Sequence, residues 1–219
     1  MPTDYNIFPR QIKYLLLFYA TYPLLLVLSH LMVLKPIVLG PFATSAAIFI
    51  LPLSYTICDI VAEVYGYKTA KNLVFVGTLL QLLVGTIIYI LLKLPSPQFW
   101  KFAQDYKDLL APQILISLYF AFANYLSAYL NAYLLTKWKF LLKGRFFAIR
   151  SIGSSLIGES LFTLLTAITY FHGLYHIEYI VRVIISVVLI KLVYAVLVAL
   201  PATFLVIFLN TPAPTESKE

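Results

Sequence analysis

Apolar residues run in blocks of about 20 along almost the whole chain, and short stretches between the blocks carry nearly all of the charge. The blocks show no period-two alternation, so helices are predicted rather than lipid-facing strands. Crossing a hydrocarbon core of about 30 Å takes roughly 20 helical residues. On that measure six spans are predicted, at residues 14–34, 42–62, 73–92, 109–136, 152–171 and 180–209. The first is too long for a cleavable signal, and no small-residue cleavage site follows it. The expected fold class is an all-α integral membrane protein, a bundle of six transmembrane helices. Residues 1–211 would form a single transmembrane domain. The closing stretch "NTPAPTESKE" is polar and Pro-rich, and residues 212–219 would be a disordered polar tail.

Composition supports this: 62% of residues are hydrophobic and 11% charged, far from a soluble domain. Charge then orients the bundle. With both termini inside, Arg10, Lys13, Lys68, Lys71, Lys137, Lys139, Lys143, Arg145, Arg150 and Lys218 are internal, against Lys35, Lys93, Lys101, Lys107 and Arg182 outside. That bias predicts an N-in, C-in arrangement by the positive-inside rule. The net charge of +7 is accounted for by topology and by contact with anionic membrane lipids, so no nucleic acid partner is needed. The basic, aromatic loop "TKWKFLLKGRFFAIR" is predicted to lie on the cytoplasmic leaflet. The single Cys58 excludes an intramolecular disulfide. His172 and His176, with Glu178 nearby, have a spacing that could hold a metal, but an exposed outer loop explains them better. No metal and no cofactor is expected.

Four ionisable residues fall within or at the ends of spans: Asp59, Glu63, Glu159 and Lys191. Placing each there costs about 2.5–3.5 kcal/mol, so each is a candidate functional group. Asp59 and Glu63, four residues apart, share one helical face. The plainer reading makes them interfacial carboxylates bonded to Lys68, Arg145 or Arg150. Pro52, seven residues before Asp59, is expected to kink the second span and open a polar pocket. Glu159 sits among Gly153, Ser154, Ser155, Gly158 and Ser160, a small-residue face that favours close helix packing but does not explain an acid. Lys191 is its obvious counter-ion, as a structural tie or as part of a site. Ten residues on, Pro201 breaks the hydrogen-bond ladder of the same helix. Asn124, Ser127 and Asn131 form a polar stripe, either glue between helices or ligand contacts. The chain's 17 tyrosines and 16 phenylalanines supply interfacial belts and stacking walls for a planar ligand.

Catalytic signatures are lacking: there is no G-x-S-x-G, no H-E-x-x-H and no Walker A loop. An enzyme is therefore not expected, and without a nucleotide loop the chain would not hydrolyse ATP itself. A few buried charges in a compact bundle fit a small-solute carrier better than a channel, which would show a filter or charged ring.

The segment "LSHLMVLKPIVLGPFATSAAIFILPLSYTICDIVAEVYGYKTAKNLVF" resembles the vitamin-uptake-like family of queuosine precursor transporters. Pro52, Asp59, Glu63, Tyr65, Gly66 and Ala70 match its P-x6-D-x3-E-x-Y-G-x3-A pattern, and Lys35 falls where the family usually has a lysine. Arg150, Ser154, Ser155, Gly158 and Glu159 resemble R-x3-S-[ST]-x2-G-[EQN], and Lys191 with Pro201 resembles K-x9-P. The resemblance covers about residues 29–201. The chain departs from it at His30, where Asn is frequent, and at Phe162, where Asp is frequent.

The resemblance implies a bacterial inner-membrane importer of a 7-deazaguanine: 7-cyano- or 7-aminomethyl-7-deazaguanine, or queuine, feeding queuosine modification of tRNA. Asp59, Glu159, Lys191, Asn124, Asn131 and Lys35 are the candidate substrate-binding residues. Glu63, Pro52, Gly66, Arg150 and Pro201 are the candidate gating or structural ones. Residue chemistry agrees, since a guanine-like edge offers two adjacent N–H donors to a carboxylate. Energy coupling stays open between a proton gradient, facilitated diffusion and an ATPase partner on the cytoplasmic loops; a homo-oligomer is also open. The alternatives are a carrier of another vitamin-like heterocycle, or a non-transporting scaffold whose buried ions only fix helix register.

Overall fold

The computed structural model describes residues 10–40, 42–168 and 177–211. Within these, the helices are α1 (Arg10–Met32), α2 (Leu51–Val64), α3 (Tyr67–Leu91), α4 (Ala103–Leu110), α5 (Gln113–Leu141), α6 (Phe147–Thr166) and α7 (Ile177–Asn210). Among the described residues, five stretches are long and apolar enough to cross a membrane: Gln11–Met32, Ala46–Val64, Tyr67–Leu91, Ala103–Leu141 and Ile184–Asn210. The remaining long helix, α6, carries Arg150, Glu159 and a run of Ser and Gly. It packs between α5 and α7, so its polar groups face protein rather than lipid.

Two elements differ from expectation. The span 42–62 is not one helix. Its first residues belong to an antiparallel hairpin, β1 (Pro36–Leu39) and β2 (Phe42–Ser45), followed by a 3-10 turn at Ala46–Phe49. Pro52 therefore lies in the first turn of α2 and starts that helix rather than kinking it. There its fixed φ suits the helix and its missing N–H has no bond to lose. The segment Lys137–Arg150 is likewise mostly helix rather than loop. α5 runs on to Leu141 and α6 starts at Phe147, joined by a tight turn with Lys143, Gly144 and Phe146 at positive φ. Gly66, at φ 87°, makes the sharp turn between α2 and α3, a conformation that favours a residue without Cβ. His172, His176 and residues 212–219 lie outside the described residues.

Packing follows the small residues. A Cβ on Gly158 would come within 2.9 Å of both Asn131 Cβ and the Ser127 carbonyl oxygen, so α5 and α6 meet nearly backbone to backbone. In lipid, such contact rather than water exclusion holds helices together. It also sets the polar faces of α5 and α6 against each other, with α2 closing the third side. At one end of the bundle Gln11 Nε2 donates to Leu209 O at 3.3 Å and Tyr65 Oη to Gln11 O at 2.7 Å. The start of α1, the turn after α2 and the end of α7 thus meet there. The hairpin joins α1 to α2 at the opposite end, where Tyr194 Oη on α7 donates to Phe49 O at 3.0 Å.

Candidate functional site

The buried polar groups form two clusters along α2. Asp59 is fully buried, and its partners are all neutral donors. Asn131 Nδ2 donates to Oδ1 at 2.6 Å, while Ser151 and Ser155 Oγ donate to Oδ2 at 2.5 and 3.0 Å. These donors come from α5 and α6, and the Gly158 contact brings them within reach. No cation pairs with Asp59 among the described residues.

One turn on, Glu63 is held quite differently. Arg150, 0% exposed, grips it with both terminal nitrogens, Nη1 to Oε2 at 2.9 Å and Nη2 to Oε1 at 3.1 Å. Arg150 Nε also donates to Arg145 O at 2.9 Å and Nη2 to Gly144 O at 3.4 Å, so the tight turn before α6 supplies carbonyls for its other hydrogens. Lys139 Nζ lies 3.4 Å from Glu63 Oε1 and donates to Glu63 O at 2.8 Å. Lys139 thus takes the place expected of Lys68, which is exposed. The knot fastens the end of α2, the end of α5 and the start of α6.

The second acid of the site, Glu159, is 2% exposed and pairs with Lys191, 5% exposed, at 3.3 Å. Lys191 Nζ also donates to Thr163 Oγ1 at 3.2 Å and stands 5.3 Å from the centroid of the Phe162 ring. Phe162 meets Phe120 edge to face at 5.1 Å, and Phe120 lies 6.4 Å from His30. The two positions that depart from the family pattern, His30 and Phe162, are therefore joined through one ring and end at Lys191.

Around Glu159, several buried polar atoms have no hydrogen-bond partner: Tyr22 Oη, Tyr55 Oη, both amide atoms of Asn124, Ser127 Oγ and Asn131 Oδ1. Tyr22 and Asn124 pair loosely with each other, as do Tyr55 and Ser127, short of full hydrogen-bond geometry, and Tyr55 also lies near Glu159. Left unpaired, such groups cost about 1–3 kcal/mol each. Beside them a small cavity is lined by Pro52, Thr56, Ser151, Ile152, Ser155, Glu159, Ala195 and Ala199. It has room for about one water or ion. A heterocycle would need α2, α6 and α7 to part.

Of the residues singled out from sequence, Asp59, Asn131, Glu159, Lys191 and Asn124 are all buried here. Lys35 is exposed at the neck of the hairpin, apart from this cluster. Pro201 lies within a continuous α7. Ser151 and Tyr55 were not anticipated, although the spacing held the signal. Ser151, Ser155 and Glu159 recur every four residues, and Tyr55 is one turn before Asp59. Nothing in the pattern marks Tyr22.

Apolar helices of membrane-spanning length around a buried, charged and polar centre define a multi-pass helical membrane protein. A family model described as "Putative vitamin uptake transporter" matches residues 45–206, most of the chain, and the protein belongs to that family. Comparisons with curated proteins and with solved structures gave no match.

Proposed function

We propose that the protein imports a queuosine precursor, 7-cyano- or 7-aminomethyl-7-deazaguanine or queuine, across the bacterial inner membrane for tRNA modification. The observation that carries this reading is the set of buried, at most loosely paired hydrogen-bonding atoms around Glu159, next to the Phe120–Phe162 pair. A guanine-like edge places two N–H donors side by side, which Glu159 or Asp59 accepts as a pair. The Asn124 amide offers both a donor and an acceptor to the rest of the base, and the rings cover its apolar faces. Lys191 balances the charge of Glu159 while the site is empty. Lys35 would meet the substrate only at the outer mouth.

The bundle in this reading has six spans, α1, α2, α3, α5, α6 and α7, with both termini in the cytoplasm. The hydrogen bond between Gln11 and Leu209 supports an even number of crossings, and the distribution of Lys and Arg supports the direction. The Glu63–Arg150–Lys139 knot then closes the cytoplasmic end, and transport alternates between opening that end and opening the hairpin end.

The test is growth of cells that neither make queuosine precursors nor import them, expressing this chain and given nanomolar precursor. Restored queuosine in tRNA is the expected result; no restoration, with the protein verified in the membrane, refutes the substrate. The family's own description favours a second reading, a carrier for another vitamin-like heterocycle. Binding of a panel of labelled heterocycles to purified protein separates the two, and failure of all of them points to a scaffold.

A further inference from the structure

The small cavity between α2, α6 and α7 has a wall that accepts hydrogen bonds but has no proton to give. Ser151 and Ser155 spend their hydroxyl hydrogens on Asp59. Thr56 Oγ1 donates its own to Pro52 O at 3.0 Å. Glu159 adds a carboxylate, an acceptor whose Oε2 lies 3.3 Å from Lys191 Nζ. The other lining residues are Pro52, Ile152, Ala195 and Ala199, which bring no free side-chain donor. An occupant must therefore donate in every direction or be a cation.

Charge selects between those choices. Asp59 stands directly behind the two serines and has no cationic partner among the described residues, whereas Glu159 has Lys191. With both acids ionised, Asp59, Glu159 and Lys191 together carry one net negative charge, which a water molecule would not compensate and which a proton on Asp59 would remove. One bound positive charge would compensate it. The donor set is hydroxyl and carboxylate oxygen, suited to a hard cation. Among the described residues no group of three or more His, Cys, Asp or Glu is found, too few anionic ligands for a divalent or transition metal. The cavity also has room for only a single ion of that size.

We infer that this cavity is a monovalent-cation site, taking sodium on Ser151, Ser155, Thr56 and Glu159 oxygens with Asp59 behind them, and that sodium moves with the substrate. The site couples to the proposed transport through shared walls. Ser151 and Ser155 position Asp59, and Glu159 faces both the cavity and the loosely paired groups of the substrate cluster. A bound cation fixes the two acids for the base. This coupling rests on the transport reading above, but sodium binding itself does not.

The experiment measures radiolabelled sodium binding to the purified full chain without substrate, then uptake into proteoliposomes under an inward sodium gradient. Expected are one saturable sodium per chain, binding weakened at least about tenfold in Thr56→Val and Ser155→Ala, and no binding in Asp59→Asn. Uptake of the labelled precursor should then be faster with sodium than with choline. If Asp59→Asn fails to insert, Thr56→Val decides, because it leaves the acids in place. No saturable binding, or equal binding in Thr56→Val and the parent, overturns the site, as would occupancy by water alone. Uptake driven equally well by a pH gradient without sodium overturns the coupling. Sodium binding without uptake of any deazaguanine would keep the site and remove the substrate assignment.

Discussion

Asp59 and Glu63 lie one turn apart on the same helix, and both are buried acids, yet their surroundings are opposite. Glu63 is gripped by a fully buried arginine and a half-exposed lysine, so its charge is matched and its geometry is over-determined. Asp59 meets only an amide and two hydroxyls. Neutral donors hold a carboxylate in place without cancelling its charge, which leaves that charge for something that enters and leaves. A closed ion pair suits a fastener, and an acid with neutral partners suits a site.

The largest effect that would test this contrast is at the fastener. Arg150→Ala would leave Glu63 with only the half-exposed Lys139, at a cost of up to about 3–5 kcal/mol, read as a lower melting temperature in detergent. Adding Glu63→Gln should restore part of the loss; no restoration would mean that Arg150 acts mainly through the carbonyls of the turn. Next is Asp59→Asn, which keeps the size but removes the charge and turns one acceptor oxygen into an N–H donor, which the serine hydroxyls can meet by rotating. Uptake should fall about 100-fold, the worth of one strong charge-assisted hydrogen bond, while the melting temperature holds. If instead stability falls and uptake survives, Asp59 is the fastener and the comparison inverts.

A smaller change is expected from Phe162→Leu, which removes the ring beside Lys191 and the edge contact with Phe120. Cation–π and ring-pair contacts of this kind are each worth about 0.5–2 kcal/mol, so KM should rise several-fold with little change in maximal rate. An unchanged KM would take Phe162 out of the substrate site. The smallest effect belongs to Lys139→Ala. Its side chain is 38% exposed, and a partly solvated pair is worth about 0.2–1 kcal/mol, a shift of the melting temperature by a few degrees or less. A loss as large as that of Arg150→Ala would show that Lys139 shares the knot equally.

Much of the bundle was legible because length and apolarity decide what spans a membrane, and the intramembrane acids stood out because lipid makes them expensive. Their pairings were less so. Glu159 with Lys191 could be read from charge alone, since each had few partners at its depth. That Lys139 rather than Lys68 reaches Glu63 depends on how far α5 runs before it turns, a matter of backbone path around Gly144 that composition does not report. The hairpin at residues 36–45 was hidden for a related reason. Its second strand, Phe42–Ser45, runs without a charge into the apolar stretch that follows, so hydropathy alone merged it with α2 and made Pro52 look like a kink. The neutral partners of Asp59 were half legible: the four-residue repeat of Ser151, Ser155 and Glu159 puts them on one face, but only the Gly158 contact turns that face toward α2.

The most direct measurement is uptake of labelled 7-aminomethyl-7-deazaguanine into proteoliposomes holding the purified protein, with guanine as competitor and with Asp59→Asn and Glu159→Gln alongside. Saturable uptake that guanine, which presents the same N–H edge, competes for, and that both variants abolish, is the predicted result. Uptake no faster than into empty liposomes, or equal in both variants and the parent, would contradict the assignment of these two acids to a deazaguanine site.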